Sequence, residues 1–443
     1  MTFRSLAFSN IRGKWRSYSA YFMSSVFSVM IFYIYAAFLA HPGVMGGQIL
    51  AAEKVRQGME FCEYVIVIFS FLFVLYSNSA FLKTRKQEFG LFSLFGMTRL
   101  QIRKLLIYEN MAIATISILT GIGLGILFSK LFFMALSNLL RMNSSIAFTM
   151  PLQAIWLTAG GFFMLFTFIS LWTALRVSKL EIAEMLRVSH QPKGQPVHSP
   201  WLALLAVVCV GAAYVMALLL SPANLDLFVL PILLMILIGT YLLFTQLSIM
   251  LLKAIQKRYS IYYHRTNMIV FAQLSHKMKD NARMLFIVSI LSAVILTVSS
   301  AFYILGYTAQ YDDLKEKAAL MKFIGLFISL LFFIASGSIT YFKLFTELQE
   351  DQMQFQALTR IGMTEDEIRK IVVTQIGLIF FVLCIVGIAH SLVAMKALDN
   401  LLQSSNWIYS FVVIGIYLAM QTVYFLVTCS SYMKSILPRR KLL

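Results

Sequence analysis

The sequence Gly96-Met-Thr-Arg-Leu-Gln-Ile-Arg-Lys104 recurs 266 residues later as Gly362-Met-Thr-Glu-Asp-Glu-Ile-Arg-Lys370. Between residues 85–104 and 351–370 the same offset matches seven of twenty positions, among them Phe89 with Phe355. Shared membrane composition does not explain the match, because Gly, Thr, Arg and Lys are not typical of lipid-facing segments. The repeat therefore indicates a duplicated structural unit that carries a duplicated contact outside the lipid.

The composition around this repeat is that of a membrane protein. Hydrophobic residues make up 60% of the chain and charged residues 13%, with a mean hydropathy of +0.80. A soluble chain carries about 25% charged residues. We therefore expect an all-α polytopic membrane protein with ten transmembrane helices of about twenty residues each. The ten predicted spans are 17–40, 61–82, 110–134, 152–175, 201–221, 226–250, 284–307, 321–342, 372–395 and 407–430.

The formal net charge of +18 follows this topology. With the N-terminus inside, the inner loops and tails hold 29 of the 37 Lys and Arg residues, and the other 8 lie on or near the outer side. This bias predicts that both termini are cytoplasmic, and the basic residues also favour contact with anionic membrane lipid. No soluble module that combines basic and aromatic residues is present, so no nucleic-acid partner is expected.

The repeat extends into the spans. The offset of 266 also relates Gly121 to Gly387 and Lys130 to Lys396, while an offset of 263 places residues 8–11 over 271–274. We predict two parallel four-helix repeats plus a two-helix insertion, with the repeats related by a pseudo-twofold axis along the membrane normal. The expected boundaries are 1–16 for a cytoplasmic amphipathic segment, 17–188 for the first repeat, 189–252 for a linker and helix hairpin, and 253–443 for the second repeat with a short outer connector at 307–320.

Motifs for catalysis do not occur in the sequence. It contains no GxxxxGK[ST], HExxH or GxSxG pattern and no Cys/His cluster at metal-ligand spacing. We therefore expect no catalytic residue, no metal site and no cofactor. His390 lies inside a predicted span, where a hydrogen-bonded role within the bundle is favoured over a ligand role.

The repeated loop predicts a helical hairpin below the bilayer. Gly96 and Gly362 suit the position just after a helix, where a positive φ carries no steric penalty. Thr98 and Thr364 suit the N-cap of the next helix, and Glu367 completes a capping box in the second copy. An apolar stripe is expected along the first hairpin at Phe89, Leu91, Leu94 and Phe95. A merely well-capped inner loop is the alternative, but it does not explain why both copies keep one turn.

The charges of the two loops differ in sign. The first copy carries Lys83, Arg85, Lys86 and Arg99, whereas the second carries Glu347, Glu350, Asp351, Glu365, Asp366 and Glu367. Our hypothesis is that the hairpins dock into equivalent clefts of a two-fold symmetric soluble partner, one through basic and one through acidic contacts. Such contacts would set orientation and specificity more than affinity.

These loops, the 4+2+4 layout of ten spans and the N-terminal segment Asn10–Tyr18 (NIRGKWRSY) resemble the FtsX-type permeases of ABC transporters. The resemblance is greatest to the bacitracin-export (BceB-like) branch of antimicrobial-peptide resistance transporters of Gram-positive bacteria. It implies a non-catalytic permease subunit in the bacterial plasma membrane, working with a separate cytoplasmic ATPase dimer. It also implies the freeing of peptide antibiotic from a lipid-linked wall precursor and, in many members, a sensor histidine kinase as partner.

By this resemblance, the two loops are the ATPase-coupling segments. The residues expected to act there are Arg85, Lys86, Phe89, Gly96, Met97, Thr98, Arg103, Lys104, Asp351, Phe355, Gly362, Met363, Thr364, Glu367, Arg369 and Lys370. Force from the ATPase would enter at these loops and pass along the helices of the second and eighth spans.

One feature departs from the branch, and two other classes of function stay open. Members carry a large extracellular domain between the seventh and eighth spans, where this chain has only residues 307–320. The alternatives are an FtsX-type signalling or scaffold membrane protein that regulates a kinase or wall hydrolase, and a secondary transporter. A secondary transporter would place ionisable or broken-helix sites near the midplane, and the spans contain few such residues.

Overall fold

The computed structural model describes residues 3–13, 15–42, 53–139, 149–177, 198–264, 266–308, 312–402 and 407–436. Within these ranges the regular elements are all helices. The predicted all-α class is therefore confirmed. The chain divides into two compact units, residues 1–192 with 311–323 and residues 193–310 with 324–443.

The first unit is built around one central helix. Its helices are α1 (Phe3–Gly13), α2 (Trp15–Leu39), α3 (Glu53–Leu94), α4 (Arg99–Leu139) and α5 (Leu152–Val177). Helix α2 packs against α3, α4 and α5. It is apolar on all sides, and its aromatic side chains such as Tyr33 and Phe38 are buried between these neighbours. This composition is typical of a helix at the centre of a bundle.

The second unit contains the insertion and a second bundle. A hairpin is formed by α6 (Pro200–Leu218) and α7 (Leu225–Leu242), which continues through a π-helical turn (Leu243–Leu247) into α8 (Ser248–Gln256). The short α9 (Tyr259–Tyr262) leads to α10 (Asn267–Thr308), α11 (Asp312–Arg360), α12 (Glu365–Leu402) and α13 (Trp407–Ile436). Helix α10 packs against α12 and α13. Residues 312–323 of α11 belong to the first unit.

Eight helical segments are long and apolar enough to cross a membrane, among the residues that the structure describes. They are Tyr21–Leu39, Arg99–Leu131, Leu152–Val177, Pro200–Leu218, Leu225–Gln256, Asn267–Ala301, Glu365–Leu401 and Ser410–Ile436. The protein is thus a multi-pass membrane protein, whereas the predicted count of ten spans is not confirmed. Among the described residues of α3 and α11, the apolar segments found are the shorter Ile66–Ser79 and Phe332–Tyr341.

Helices α3 and α11 are much longer than a bilayer is thick. Their 42 and 49 residues correspond to about 63 and 74 Å at 1.5 Å per residue, against about 30 Å for the hydrocarbon core. Both helices end at a Gly-Met-Thr turn. Residues 61–82 and 321–342, the predicted second and eighth spans, thus lie in helices that run without a break to these turns.

Glycines let two helix pairs approach closely at equivalent positions. A Cβ atom on Gly121 in α4 would lie 2.7 Å from Cβ of Val29 in α2. A Cβ atom on Gly387 in α12 would lie 2.6 Å from Cβ of Ser292 in α10. The glycines differ by 266 in number and their partners by 263, which are the two offsets found in the sequence. Small residues permit such backbone approach between membrane helices.

The insertion joins the second bundle through His390. Its Nδ1 atom lies 2.6 Å from Tyr214 Oη on α6, and its Nε2 atom lies 2.9 Å from Thr240 Oγ1 on α7. A neutral imidazole offers one donor and one acceptor, so it can bond both hydroxyls at once. His390 therefore has the hydrogen-bonded role inside the bundle that the sequence predicted.

Candidate functional site

Both repeated loops are turns of one type. Gly96 has φ of 87° and Gly362 has φ of 106°. In the first turn Met97 N–H donates to the Phe92 carbonyl at 3.0 Å and Gly96 N–H to the Ser93 carbonyl at 3.1 Å. The second turn has the same pair of bonds, both 3.1 Å, from residues 363 and 362 to residues 358 and 359. This is the Schellman arrangement, which satisfies the last carbonyl groups of a helix.

The helix after each turn begins with a capping box. Thr98 N–H donates to Gln101 Oε1 at 2.8 Å, and Gln101 N–H donates to Thr98 Oγ1 at 3.3 Å. Thr364 and Glu367 make the same two bonds at 3.0 and 3.4 Å. The sequence analysis identified the box only in the second copy. Gln101 was the missed signal, because Gln serves at this position as well as Glu.

Aromatic residues of the repeat lie inside each hairpin. We call the α3–α4 connection around Gly96 the first hairpin and the α11–α12 connection around Gly362 the second hairpin. Phe89 is buried with Ile102, Leu106 and Val177. Phe355, the counterpart of Phe89, is likewise buried. Phe89 thus packs α3 against α4, and since both phenylalanines are buried, neither is available to a soluble partner.

The tips of the hairpins expose apolar side chains at one shared position. Phe95 is 77% exposed and Ile361, its counterpart, is 82% exposed. The first tip also exposes Leu91, Leu94 and Leu100. The expected apolar stripe is therefore divided, with Phe89 inside and the other three members outside.

The remaining predicted coupling residues fall into groups by exposure. Exposed are Gly96, Thr98, Lys104, Gly362, Thr364, Glu367, Arg369 and Lys370, and half-buried are Met97, Arg103 and Met363. Arg85 and Asp351 are buried with the two phenylalanines. The side chain of Lys86 lies outside the described part of the structure. The coupling role of the whole set stays a prediction.

Arg85 belongs to a buried polar cluster about three helical turns before Gly96. Its Nη1 atom pairs with Glu109 Oε2 on α4, and its Nε and Nη2 atoms both lie 3.1 Å from Glu88 Oε2. Asn10 Nδ2 on α1 donates to Glu109 Oε1 at 2.9 Å. We call Asn10, Arg85, Glu88 and Glu109 the first polar cluster. It connects α1, α3 and α4 at the base of the first hairpin.

The guanidinium group of Arg85 also lies among aromatic rings. Its Cζ atom is 5.0 Å from the ring centroid of Tyr18 on α2 and 5.1 Å from that of Phe89. Cation–π attraction at these distances favours the charged form. Burial acts to lower the pKa of Arg85, but Glu109, Tyr18 and Glu88 together outweigh it, so the pKa lies above its ordinary value. Arg85 is therefore a permanent buried cation.

A second polar cluster occupies the same place at the second hairpin. Lys277 Nζ on α10 lies 2.6 Å from Asp351 Oδ2 on α11 and donates to Gln375 Oε1 on α12 at 3.2 Å. Tyr432 on α13 donates its hydroxyl to Asp351. Gln375 Nε2 donates to Gln273 Oε1 on α10 at 2.6 Å. We call these five residues the second polar cluster, and it connects all four helices of the second bundle.

The two clusters match in position but not in charge. Arg85 and Asp351 are separated by the offset of 266, as are Glu109 and Gln375, while Asn10 and Gln273 are separated by 263. In the first cluster the cation lies on the helix before the turn and the anion on the helix after it. In the second, the anion lies before the turn and the cation comes from α10.

These contacts change how the opposite charges of the two loops are interpreted. Arg85 and Asp351 are engaged inside their own units, so their side chains do not face a soluble partner. Sequence reasoning missed their partners Glu109 and Lys277. A charged residue beside a predicted span was the available signal, because ionisable groups near hydrocarbon are costly unless paired.

Known proteins give an independent identification. The profile of the FtsX-like permease C-terminal domain matches residues 63–182 and 326–442, together just over half of the chain. Each match contains one hairpin. The chain is 27% identical to the ABC transporter permease YvcS of Bacillus subtilis over 645 aligned positions, covering 99% of this chain and all of YvcS. These features define a permease of the ABC transporter class. The chain belongs to the FtsX-like permease family.

Two further relatives from Bacillus subtilis match part of their length. The chain is 40% identical to the ABC transporter permease YxdM over 313 residues, 71% of this chain and 49% of YxdM. It is 24% identical to the bacitracin export permease BceB over 333 residues, 73% of this chain and 51% of BceB. The chain thus spans about half the length of these two relatives. At least 200 positions of the YvcS alignment lack a counterpart here, because this chain has 443 residues.

Proposed function

We propose that this protein is the permease subunit of an ABC transporter and that the two hairpin tips bind a separate cytoplasmic ATPase dimer. The observation that carries the proposal is the shared tip geometry. Two turns far apart in sequence have the same positive-φ glycine, the same Schellman bonds and the same capping box, and both expose an apolar residue before the glycine. Membership of the permease family supports the same assignment.

Movement of the ATPase would enter the membrane through helices α3 and α11. Each is continuous from its tip through the bundle, and a polar cluster ties it to neighbouring helices about 16 Å from the turn, at 1.5 Å per residue. A displaced tip would therefore carry the bundle with it instead of bending alone. We further propose that the units are repeats with one helix order. The paired contacts at Gly121 and Gly387 support this, as do the two polar clusters.

The proposed outcome is resistance to antimicrobial peptides. BceB is a bacitracin export permease by name, and the sequence resembles that branch. We propose that the helix movement frees a bacitracin-like peptide from a lipid-linked wall precursor at the outer face, and that a sensor histidine kinase is a further partner. ATP hydrolysis itself would take place in the ATPase subunit.

The proposal is tested by replacing the tip residues with aspartate. The chain is co-expressed with the ATPase of its own transporter, and co-purification and ATP hydrolysis are measured for Phe95→Asp and Ile361→Asp. Met353→Asp is the matched control, since Met353 is also an exposed apolar residue of α11 but lies two turns from the tip. Burying one new carboxylate against the ATPase costs several kcal/mol, so we expect co-purification to fall at least tenfold for both tip variants.

The control should keep the ATPase. Equal recovery and equal ATP hydrolysis with all three variants would contradict docking at the tips. A wild-type chain that neither retains the ATPase nor changes its rate would contradict the permease function itself and favour the signalling or scaffold alternative.

A further inference from the structure

Helices α2 and α4 run in the same direction and approach each other closely. A Cβ atom on Gly121 would lie 2.7 Å from Cβ of Val29, and a Cβ atom on Gly125 would lie 2.6 Å from Cδ1 of Tyr33. The residue numbers rise together on both helices, so positions equally far before Gly121 and Val29 lie at the same level. This contact therefore fixes which residues of α2 and α4 face each other nearer the first hairpin.

Four polar residues lie between the two helices on this side of the glycine contact. One and three helical turns before Gly121, at about 3.6 residues per turn, α4 carries Ser117 and Asn110. At the same distances before its own contact residue, α2 carries Ser25 and Tyr18. All four side chains are buried. We call these four residues the α2–α4 seam.

Two residues of the seam lack a hydrogen-bond partner among the residues that the structure describes. Asn110 is 2% exposed and neither its Nδ2 nor its Oδ1 atom is bonded, and the same holds for Oγ of Ser117, which is 0% exposed. Other hydroxyl groups of α4 bond a carbonyl of the preceding turn, as Thr115 and Thr120 do at 2.9 and 2.7 Å. Buried polar groups almost always have a partner in protein or in ordered water. The amide of Asn110 therefore points to a bound polar ligand.

The second bundle has apolar residues at the corresponding positions. The residue 266 positions after Asn110 is Ile376, and the residue 266 positions after Ser117 is Leu383. Both lie on α12 and both are buried. The α10–α12 pair, which has its own close contact at Gly387, is thus closed by apolar side chains at these levels. Helix packing alone does not call for the polar residues of the seam, so they have a different cause.

We propose that the α2–α4 seam binds internal water molecules, whereas the equivalent part of the α10–α12 interface is dry. One water accepts a hydrogen bond from Asn110 Nδ2 or donates one to its Oδ1, and another bonds Oγ of Ser117. An internal water requires roughly two to four polar partners, and Tyr18 and Ser25 offer hydroxyl groups at the same two levels. Water is favoured over a larger polar ligand, because the contact at Gly121 holds the helices together one turn away. Such bonds satisfy polar groups nearly as well as direct ones.

The first test compares two thiols that are equally buried. Ser117→Cys and Leu383→Cys are made separately in a full chain whose four native cysteines are replaced by alanine, and each purified variant is irradiated with X-rays in water labelled with heavy oxygen. Irradiation converts bound water to hydroxyl radicals, which oxidise the side chains beside them, and mass spectrometry measures the rate of labelling. Small apolar cavities stay dry, so we expect labelling at position 117 to be at least about tenfold faster than at position 383.

The second test uses two buried tyrosines of α2 in the same labelling experiment. Asn110→Leu removes the amide at nearly constant volume and should slow the labelling of Tyr18 at least about threefold, because the water loses its main partner. Labelling of Tyr33, which lies against Gly125, should not change. Asn110→Ser keeps a polar group and should label Tyr18 like the wild type. Equal labelling of the two thiols would overturn the proposal, as would labelling of Tyr18 that Asn110→Leu does not slow.

Discussion

Gly96 and Gly362 are the residues whose backbone conformation the fold requires. Both have positive φ, and no atom lies within 4 Å of a Cβ placed on either. Alanine there would therefore act through the backbone alone. The left-handed conformation costs an L-residue roughly 1–2 kcal/mol, so we expect Gly96→Ala to lower the free energy of unfolding by that amount. Thermal unfolding in detergent measures it.

Gly123→Ala provides the matched control. Gly123 lies in α4, also has open space around its Cβ, and has no positive φ. Alanine in a helix is favoured over glycine by about 1 kcal/mol, so this variant should be neutral or more stable. Equal unfolding midpoints for Gly96→Ala and Gly123→Ala would show that the turn does not depend on its glycine.

Glu109 should be the most sensitive residue of the first polar cluster. Glu109→Gln removes the main anion beside the buried Arg85, and breaking a buried pair costs about 3–5 kcal/mol. Because Glu88 still faces Arg85 in this variant, the expected loss of unfolding free energy is near the lower end of this range. Glu88 is partly exposed, and Glu88→Gln should cost less than about 1 kcal/mol.

A double-mutant cycle separates the pair from its surroundings. Arg85→Gln combined with Glu109→Gln leaves no unpaired charge between the two positions, so the double variant should lose less stability than the sum of the single variants. Additive losses would mean that Arg85 and Glu109 do not interact energetically.

At the scale of elements, the close contact between α10 and α12 leads to a prediction about the spacing of these helices. A Cβ on Gly387 would meet Ser292 Cβ at 2.6 Å and the Ser289 carbonyl at 3.3 Å. Ser292 is itself held by a 2.7 Å hydrogen bond from the Tyr417 hydroxyl on α13. The helices would have to separate, and such overpacking costs about 1–3 kcal/mol. We expect Gly387→Ala to lower the thermal unfolding midpoint.

Gly415→Ala in α13 is the comparison for this variant, because nothing lies within 4 Å of its Cβ. It should leave the midpoint unchanged or raise it. If both glycine variants unfold at the same temperature, the helices can adjust their spacing at no cost.

The sequence predicted helix ends better than side-chain environments. Turns and caps depend on residues within a few positions, so Gly96, Thr98 and their counterparts were found from spacing alone. The burial of Arg85 depends on Asn10 and Glu109, which come from other helices and are far away in the sequence. Local reasoning therefore assigned Arg85 and Asp351 to the surface, although both are enclosed by their own bundles.

At the scale of the whole molecule, the proposed mechanism predicts that both hairpins are needed together. An ATPase dimer has two subunits, and each would require a bound tip to transmit its movement. Phe95→Asp and Ile361→Asp should each remove most of the permease-dependent change in ATP hydrolysis. The double variant should be little worse than either one, because effects within a coupled unit are not additive.

The measurement is the ATP hydrolysis rate with each permease variant at saturating concentration. If each single variant lost only half of the permease-dependent change in ATP hydrolysis, the hairpins would work independently. That result would contradict joint action. Because each permease variant is at saturating concentration, a lower rate does not come simply from weaker binding of the ATPase.

The sequence predicts less about the whole molecule than about its turns. The offset of 266 predicts a repeat, and membrane character was visible in the composition. The association of the inserted hairpin with the second bundle was not, because it depends on side-chain contacts such as His390 with Tyr214.

The two polar clusters bear on how the halves of this chain diverged. Under the proposed repeat, the two halves derive from one duplicated segment, and the position of Arg85 in one half holds Asp351 in the other. A single substitution of Arg85 by aspartate would place a second anion beside Glu109, with no cation among the other described residues of the first polar cluster. Once the two polar clusters held different charged residues, each half depended on its own arrangement of charges. Under the proposed repeat, exchanging the residues at positions 85 and 351 between the halves should therefore yield defective proteins.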